Sequence, residues 1–188
     1  MTDAKYSTVY PMILGELNTA LACVSDEEID ALIKIITQAE KVFFVGVGRV
    51  LLSLEAIAKR WAHLGIETHI VGEITEPAIT EKDVLIVGSG SGTTMIPAGI
   101  AQKAHKLGAK VVHIGSNPNS GLKDICCLMV RIPVQTKNYL DDEINSQQPM
   151  TSLFEQSLLL LGDAVAKVLI ERSNIDMKQL WRFHANLE

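Results

Sequence analysis

The stretch Val84-Leu85-Ile86-Val87-Gly88-Ser89-Gly90-Ser91-Gly92-Thr93-Thr94 decides the fold. Its apolar opening reads as a short strand buried on both faces, the pattern of a parallel sheet. Three glycines and four hydroxyls then separate that strand from a helix over 94–107, which Gly108 closes. Glycines let successive backbone N–H groups converge, and a helix end supplies roughly half a positive charge. The hydroxyls of Ser89, Ser91 and Thr94 can rotate to donate, so the loop suits a phosphate without any lysine. The same residues also read as a plain strand-to-helix turn capped by Ser and Thr. A triphosphate P-loop is excluded, because the Gly-Lys-Ser/Thr signature is absent.

Similar apolar runs flank this one. Strands are predicted over 42–45, 68–71, 110–114 and 126–132, with a helix over 49–64 ended by Gly65. Strand and helix alternating at this spacing imply an α/β fold: a parallel sheet with right-handed crossovers and a ligand site outside the carboxyl ends of the strands. Before the sheet, residues 12–23 read as a helix. Ser25 with Glu28 forms a capping box for a second helix that runs to about Glu40, with Ile29, Leu32, Ile33 and Ile36 on one face. Residues 133–148 are polar and aperiodic, either a lid or a mobile loop. Pro149 suits the first turn of a long helix that ends near Arg172 and is apolar over much of its circumference. The economical reading is one domain over 1–188, with N-terminal helices in 8–40 and C-terminal helices in 149–182 packing on the sheet and at subunit contacts.

The chain has 188 residues, 47% hydrophobic and 21% charged, the balance of a folded domain rather than a disordered one. Lys and Arg total 17 against 22 Asp and Glu, a net charge of −5. With no basic stripe, nucleic acid is excluded as a partner, and any anion must be held by local geometry. Cys23, Cys126 and Cys127 form no CxxC pair and read as buried thiols in a reducing compartment. Neither a signal peptide nor a run of about 18 apolar residues is visible, so no membrane is expected and the cytoplasm is the expected location.

Three further places invite chemistry. Gly46-Val47-Gly48-Arg49 begins like a dinucleotide fingerprint, but its third glycine position is Leu51 and no acidic residue closes the second strand. Arg49 reads instead as a cation at a strand end, or as a solvated surface arginine. No histidine pair has metal-ligand spacing. Glu155 is the one carboxylate among Met150, Leu153, Phe154 and Leu158. A desolvated carboxylate there can take and return a proton near neutrality, whereas an exposed one is merely part of a polar face.

The segments Phe44 to Arg49 (FVGVGR), His63-Leu64-Gly65, Val71-Gly72-Glu73, Pro77-Ala78-Ile79, Gly88 to Thr94 and Arg131-Ile132-Pro133 form one pattern. Gln148-Pro149-Met150, Ser152-Leu153-Phe154-Glu155-Gln156 and the closing His184-Ala185-Asn186-Leu187-Glu188 complete it. Over nearly the whole chain it resembles the 6-phospho-3-hexuloisomerases of the sugar isomerase (SIS) domain family. The resemblance implies a three-layer αβα sandwich around a five-stranded parallel sheet in flavodoxin-like order 2-1-3-4-5. It also implies a homotetramer with sites at subunit interfaces, and interconversion of D-arabino-hex-3-ulose 6-phosphate and fructose 6-phosphate without metal or organic cofactor, as in the ribulose monophosphate pathway.

Carried over by residue, the resemblance assigns the sugar phosphate to Gly46, Gly48, Arg49, Ser89, Gly90, Ser91, Gly92, Thr93 and Thr94. It assigns proton transfer through a cis-enediol to Glu155, a helper role to His63, and to His184 an imidazole that arrives from a neighbouring subunit. The chain departs from the family pattern at Val50-Leu51, where Ser-Gly is usual, at Thr93, where Glu is common, and at Thr151, where Gly is expected. These departures bear on substrate identity and support an alternative, a non-catalytic SIS module that binds or senses a sugar phosphate.

Overall fold

The computed structural model describes residues 4–187. The apolar runs become β1 (Val42–Val45), β2 (Thr68–Ile70), β3 (Val84–Gly88), β4 (Lys110–Gly115) and β5 (Leu128–Arg131). All pair in parallel, in the order β2-β1-β3-β4-β5, with Val42 opposite Val84 and Val45 opposite Val87. This is the order the resemblance implies. After β1 the chain crosses to one side of the sheet and after β3 to the other, so a crevice opens between the carboxyl ends of these two strands.

The helices are α1 (Tyr6–Leu21), α2 (Asp26–Gln38), α3 (Gly48–Ala62), α4 (Met95–Lys106) and α5 (Ser152–Arg172), followed by a short 3-10 helix, Met177–Phe183. Because side chains alternate along a strand, Phe44, Ile86 and Val112 pack on one face with Leu54, Ile57 and Trp61 of α3 and Phe154 and Leu158 of α5. Phe43, Val45, Leu85 and Val87 pack on the other with Ala101 and Ala104 of α4 and with Leu122. Gly162 of α5 lies where any Cβ would strike Ile57, and its carbonyl accepts from Trp61 Nε1 at 3.0 Å. That close approach fixes α3 against α5. Truncating the fully buried Trp61 to Ala is expected to cost about 3–5 kcal/mol.

Several expectations are corrected. The first helix runs from Tyr6 to Leu21 rather than over 12–23, and carries Pro11 inside it. Ser25 accepts from the Glu27 and Glu28 amides, as a cap should, but Glu28 does not complete the box. Its Oε2 accepts instead from the Arg131 amide on β5, at 2.8 Å, tying α2 to the sheet edge. Met150 adopts a left-handed φ of 55°, and α5 therefore starts at Ser152 rather than at Pro149. The three thiols are not buried: Cys23, just after α1, is exposed, and because β5 begins only at Leu128, Cys127 is exposed and Cys126 half-buried. Burial nevertheless pushes the Cys126 and Cys127 thiols up.

The aperiodic 133–148 segment is fastened along its length. Val134 bridges Ile144, and buried Glu143 accepts from the Thr136 amide at 3.0 Å, the Thr136 hydroxyl at 2.9 Å and the Leu140 amide at 3.0 Å. Glu16 of α1 accepts from Ser146, Gln147 and Gln148 at 2.7, 2.7 and 3.0 Å. Burial opposes ionisation of Glu16, yet these bonds hold its carboxyl below the ordinary value.

Candidate active site

A cavity of about 770 Å³ occupies the crevice beyond β1 and β3. One wall is the loop from Gly88 to Thr94, and its shape follows from what β4 does to it. His113 Nε2 lies 2.8 Å from the Ser89 carbonyl, the amides of Ser116 and Asn117 donate to the Gly90 carbonyl at 2.9 and 3.1 Å, and Asn117 Nδ2 donates to the Ser91 carbonyl at 3.2 Å. Three successive carbonyls are thus turned into the protein. Among the described residues, the amides of Gly90 and Ser91 find no protein acceptor, on a stretch that lines the cavity. Converging amides with a helix amino end behind them bind an oxyanion. Burial keeps His113 below its ordinary pKa of 6.5, although the bond to Ser89 works the other way, so a neutral imidazole braces the loop.

The opposite wall starts at Gly48, whose φ of 58° turns the chain from β1 into α3. A Cβ at Gly46 or at Gly88 would lie 2.9 Å from Leu54 Cδ1, and one at Gly88 would also meet Val50 Cγ1 at 2.9 Å. These glycines admit the first turn of α3. Arg49 then reaches across to Glu155 in the first turn of α5: its Nε donates to Glu155 Oε2, while Thr151 Oγ1 donates to Oε1 at 2.8 Å. Ser53 Oγ donates to the Glu155 carbonyl at 2.9 Å. The glutamate is buried, at 8% exposure, whereas the arginine side chain is 64% exposed toward solvent.

Gly48, Arg49, Ser89, Gly90, Ser91, Thr94 and Glu155 therefore line one cavity. Gly46 lies beneath it. Gly92, with φ of 63°, and Thr93, whose hydroxyl bonds Ser91 Oγ at 3.0 Å, shape the loop from behind. His63 and His184 are elsewhere in the chain. His63 follows the last residue of α3, roughly 20 Å along the helix from Arg49. Its ring stacks on His184 at 5.3 Å, and His184 lies 5.0 Å from the Trp181 ring. Burial, then Lys59, Arg60 and His184, hold the His63 pKa down, and its Nε2 is buried without a hydrogen-bond partner among the described residues.

Thr136, Lys137, Tyr139 and Thr151 also line the cavity, and none was singled out for binding by its sequence. Only the departure at Thr151 carried a signal. Among the described residues no three His, Cys, Asp or Glu side chains gather to hold a metal ion, and no helix is long and apolar enough to cross a membrane.

No protein-family model matches the chain. It is 40% identical over 176 residues to the 3-hexulose-6-phosphate isomerase of Bacillus subtilis, covering 94% of this chain and 95% of that one. The solved structure of a Methanococcus jannaschii protein, from which a 3-hexulose-6-phosphate isomerase function was inferred, matches with a TM-score of 0.81 at 29% identity, over 95% of this chain and 98% of that one. The Vibrio vulnificus NanR protein, solved in complex with ManNAc-6P, shares the fold with a TM-score of 0.77 at 16% identity, over 96% and 67% of the two chains. The fold is that of the SIS phosphosugar isomerases. Within that class, the chain belongs to the 3-hexulose-6-phosphate isomerase family.

Proposed function

We propose that the chain interconverts D-arabino-hex-3-ulose 6-phosphate and fructose 6-phosphate in the cytoplasm, with Glu155 as the proton carrier and no metal or organic cofactor. The carrying observation is the juxtaposition of a buried carboxylate, an arginine and a loop of unpaired amides in one cavity. With the phosphate on Ser89, Gly90, Ser91 and Thr94, Glu155 removes the proton from C2, the carbon between the hydroxyl and the C3 carbonyl. The electron pair forms a cis-enediolate, and the same carboxyl returns the proton to C3 as the carbonyl develops at C2. Arg49 offers its remaining N–H donors to the enediolate oxygen, a kind of contact worth about 3–4 kcal/mol in the transition state. The phosphate grip fixes orientation and leaves the chemistry to the carboxylate.

His63 and His184 serve this reaction in trans. They sit at the far end of α3, so their imidazoles would reach a cavity of a neighbouring copy in a homotetramer and move the hydroxyl proton there. Val50 packs over Gly46 and Gly88, and Leu51 is packed against the core; both leave the Arg49–Glu155 pair intact, which favours catalysis over mere sensing. A coupled assay of fructose 6-phosphate formation tests the reading. Glu155→Gln is expected to lower kcat by about 10²–10⁴-fold while retaining phosphosugar binding. Wild-type protein no faster than this variant would overturn it.

A further inference from the structure

We propose that Lys137 is the cation that binds the phosphate of the substrate, and that Glu143 is the positioning residue that holds it at the cavity. The inference rests on the phosphosugar reading above and extends its binding site to the 133–148 segment, which the sequence marks only as a lid or a mobile loop.

The first ground is charge. The cavity wall contains three formally charged residues, Arg49, Glu155 and Lys137. Arg49 and Glu155 are already paired with each other. A phosphate monoester is close to a dianion at neutral pH, and the chain as a whole carries −5, so the field around the molecule repels it. Amides and hydroxyls of the Gly88 to Thr94 loop supply hydrogen bonds but only partial charge. Lys137 is the remaining full positive charge on that wall.

The second ground is placement. Thr136 presses against the phosphate loop so closely that a Cβ at Gly90 would lie 3.0 Å from Thr136 Cγ2. The next residue in the chain is Lys137, which is itself exposed at the mouth. Its long stem lets the amine stay hydrated when the cavity is empty and swing to an anion seated on Gly90 and Ser91.

The third ground is the anchor. Glu143 is buried at 8% exposure, and every hydrogen bond its carboxylate accepts comes from the turn that carries Lys137: the Thr136 amide, the Thr136 hydroxyl and the Leu140 amide. A carboxylate buried in this way does not touch the cavity. Its effect is to close residues 136–140 into one turn and so hold Lys137 beside Gly90.

The test measures hexulose phosphate kinetics and inorganic phosphate binding by calorimetry on the full chain. Lys137→Gln is expected to raise KM and the phosphate dissociation constant by roughly tenfold or more, with kcat changed less than about threefold. Lys137→Arg is expected to restore most of the loss. Lys167→Gln, which removes another exposed charge, on α5 and paired with Glu171, is expected to change neither value. Glu143→Gln is expected to shift KM in the same direction as Lys137→Gln, and the double variant to be little worse than Lys137→Gln alone. Wild-type KM and phosphate affinity in Lys137→Gln would overturn the proposal, and strictly additive losses in the double variant would overturn the role of Glu143. If the wild type bound phosphate through Lys137 but failed to turn over the hexulose phosphate, the function proposed above would fall and this site would stand.

Discussion

At the amino end of α3, Arg49 donates to Glu155 beside a loop whose Gly90 and Ser91 amides find no acceptor among the described residues, so an ion pair and a candidate anion site line one cavity. At the carboxyl end of the same helix, His63 stacks on His184, and its buried Nε2 finds no hydrogen-bond partner among the described residues. On the mechanism proposed above, these imidazoles act in the cavity of a neighbouring copy. On that reading the contrast separates the proposed work of one copy, which is to bind and hold a base, from the proposed work of two.

Mixed assemblies put that contrast under the greatest strain. Glu155→Gln and His63→Ala are each expected to lower activity by at least about a hundredfold. Co-assembled from a denatured mixture, they are expected to regain a readily measured fraction of wild-type activity, because some cavities then pair an intact Glu155 from one copy with an intact His63 from another. If assay of the mixture returned only the sum of the two inactive parents, the two ends of α3 would not be working in trans.

A smaller effect is expected at the amino end of α3. Arg49→Lys keeps the charge but loses the planar fork that lets Nε hold Glu155 while the other nitrogens remain available. Loss of a charged hydrogen bond of this kind is worth about 1.5–3 kcal/mol, so kcat/KM should fall by roughly 10–100-fold. The loss is expected in kcat, since the arginine is proposed to meet charge that develops only in the transition state. A change in KM alone would reassign Arg49 to ground-state binding.

How far these two ends were legible in the sequence follows from the range of the forces that build each. The strands were legible because apolar runs bounded by glycine report local burial, whereas the order of the sheet came from the family resemblance, since right-handed crossovers alone leave several orders open. Ser89, Ser91, Arg49 and Glu155 were legible because each sits at a strand end or at the first turn of a helix, where the chain leaves the core. Glu28 was legible as half of a capping box but spends its carboxylate on Arg131, 103 residues away, and no local spacing reports that. Lys137 was hidden for the same reason, since its position depends on Glu143 inside an aperiodic segment. The resemblance named His63 and His184 together, and the chain does stack them; what it does not do is bring them to Glu155.

The smallest effect concerns pH, and it distinguishes the two buried histidines that belong to the two regions. Both His113, under the phosphate loop, and His63, at the far end of α3, are held below their ordinary pKa of 6.5 chiefly by burial. An unfolded chain therefore binds more protons than the folded one once the pH drops below about 6.5. Stability from this source is complete above that value and is lost as the pH falls toward the lowered folded values. Each kcal/mol lost corresponds to about 2–4 °C in Tm for a chain of this length, so calorimetry between pH 7.5 and 5 resolves it. His113→Gln keeps an amide donor that can face the Ser89 carbonyl but removes the titration, and it is expected to flatten the acid limb. His63→Gln is expected to flatten it less in the assembled protein if a neighbouring copy supplies the missing partner for Nε2, because an acceptor there offsets burial and returns the imidazole toward its ordinary value. Equal flattening by both variants would mean that the far end of α3 is as self-contained as the near one.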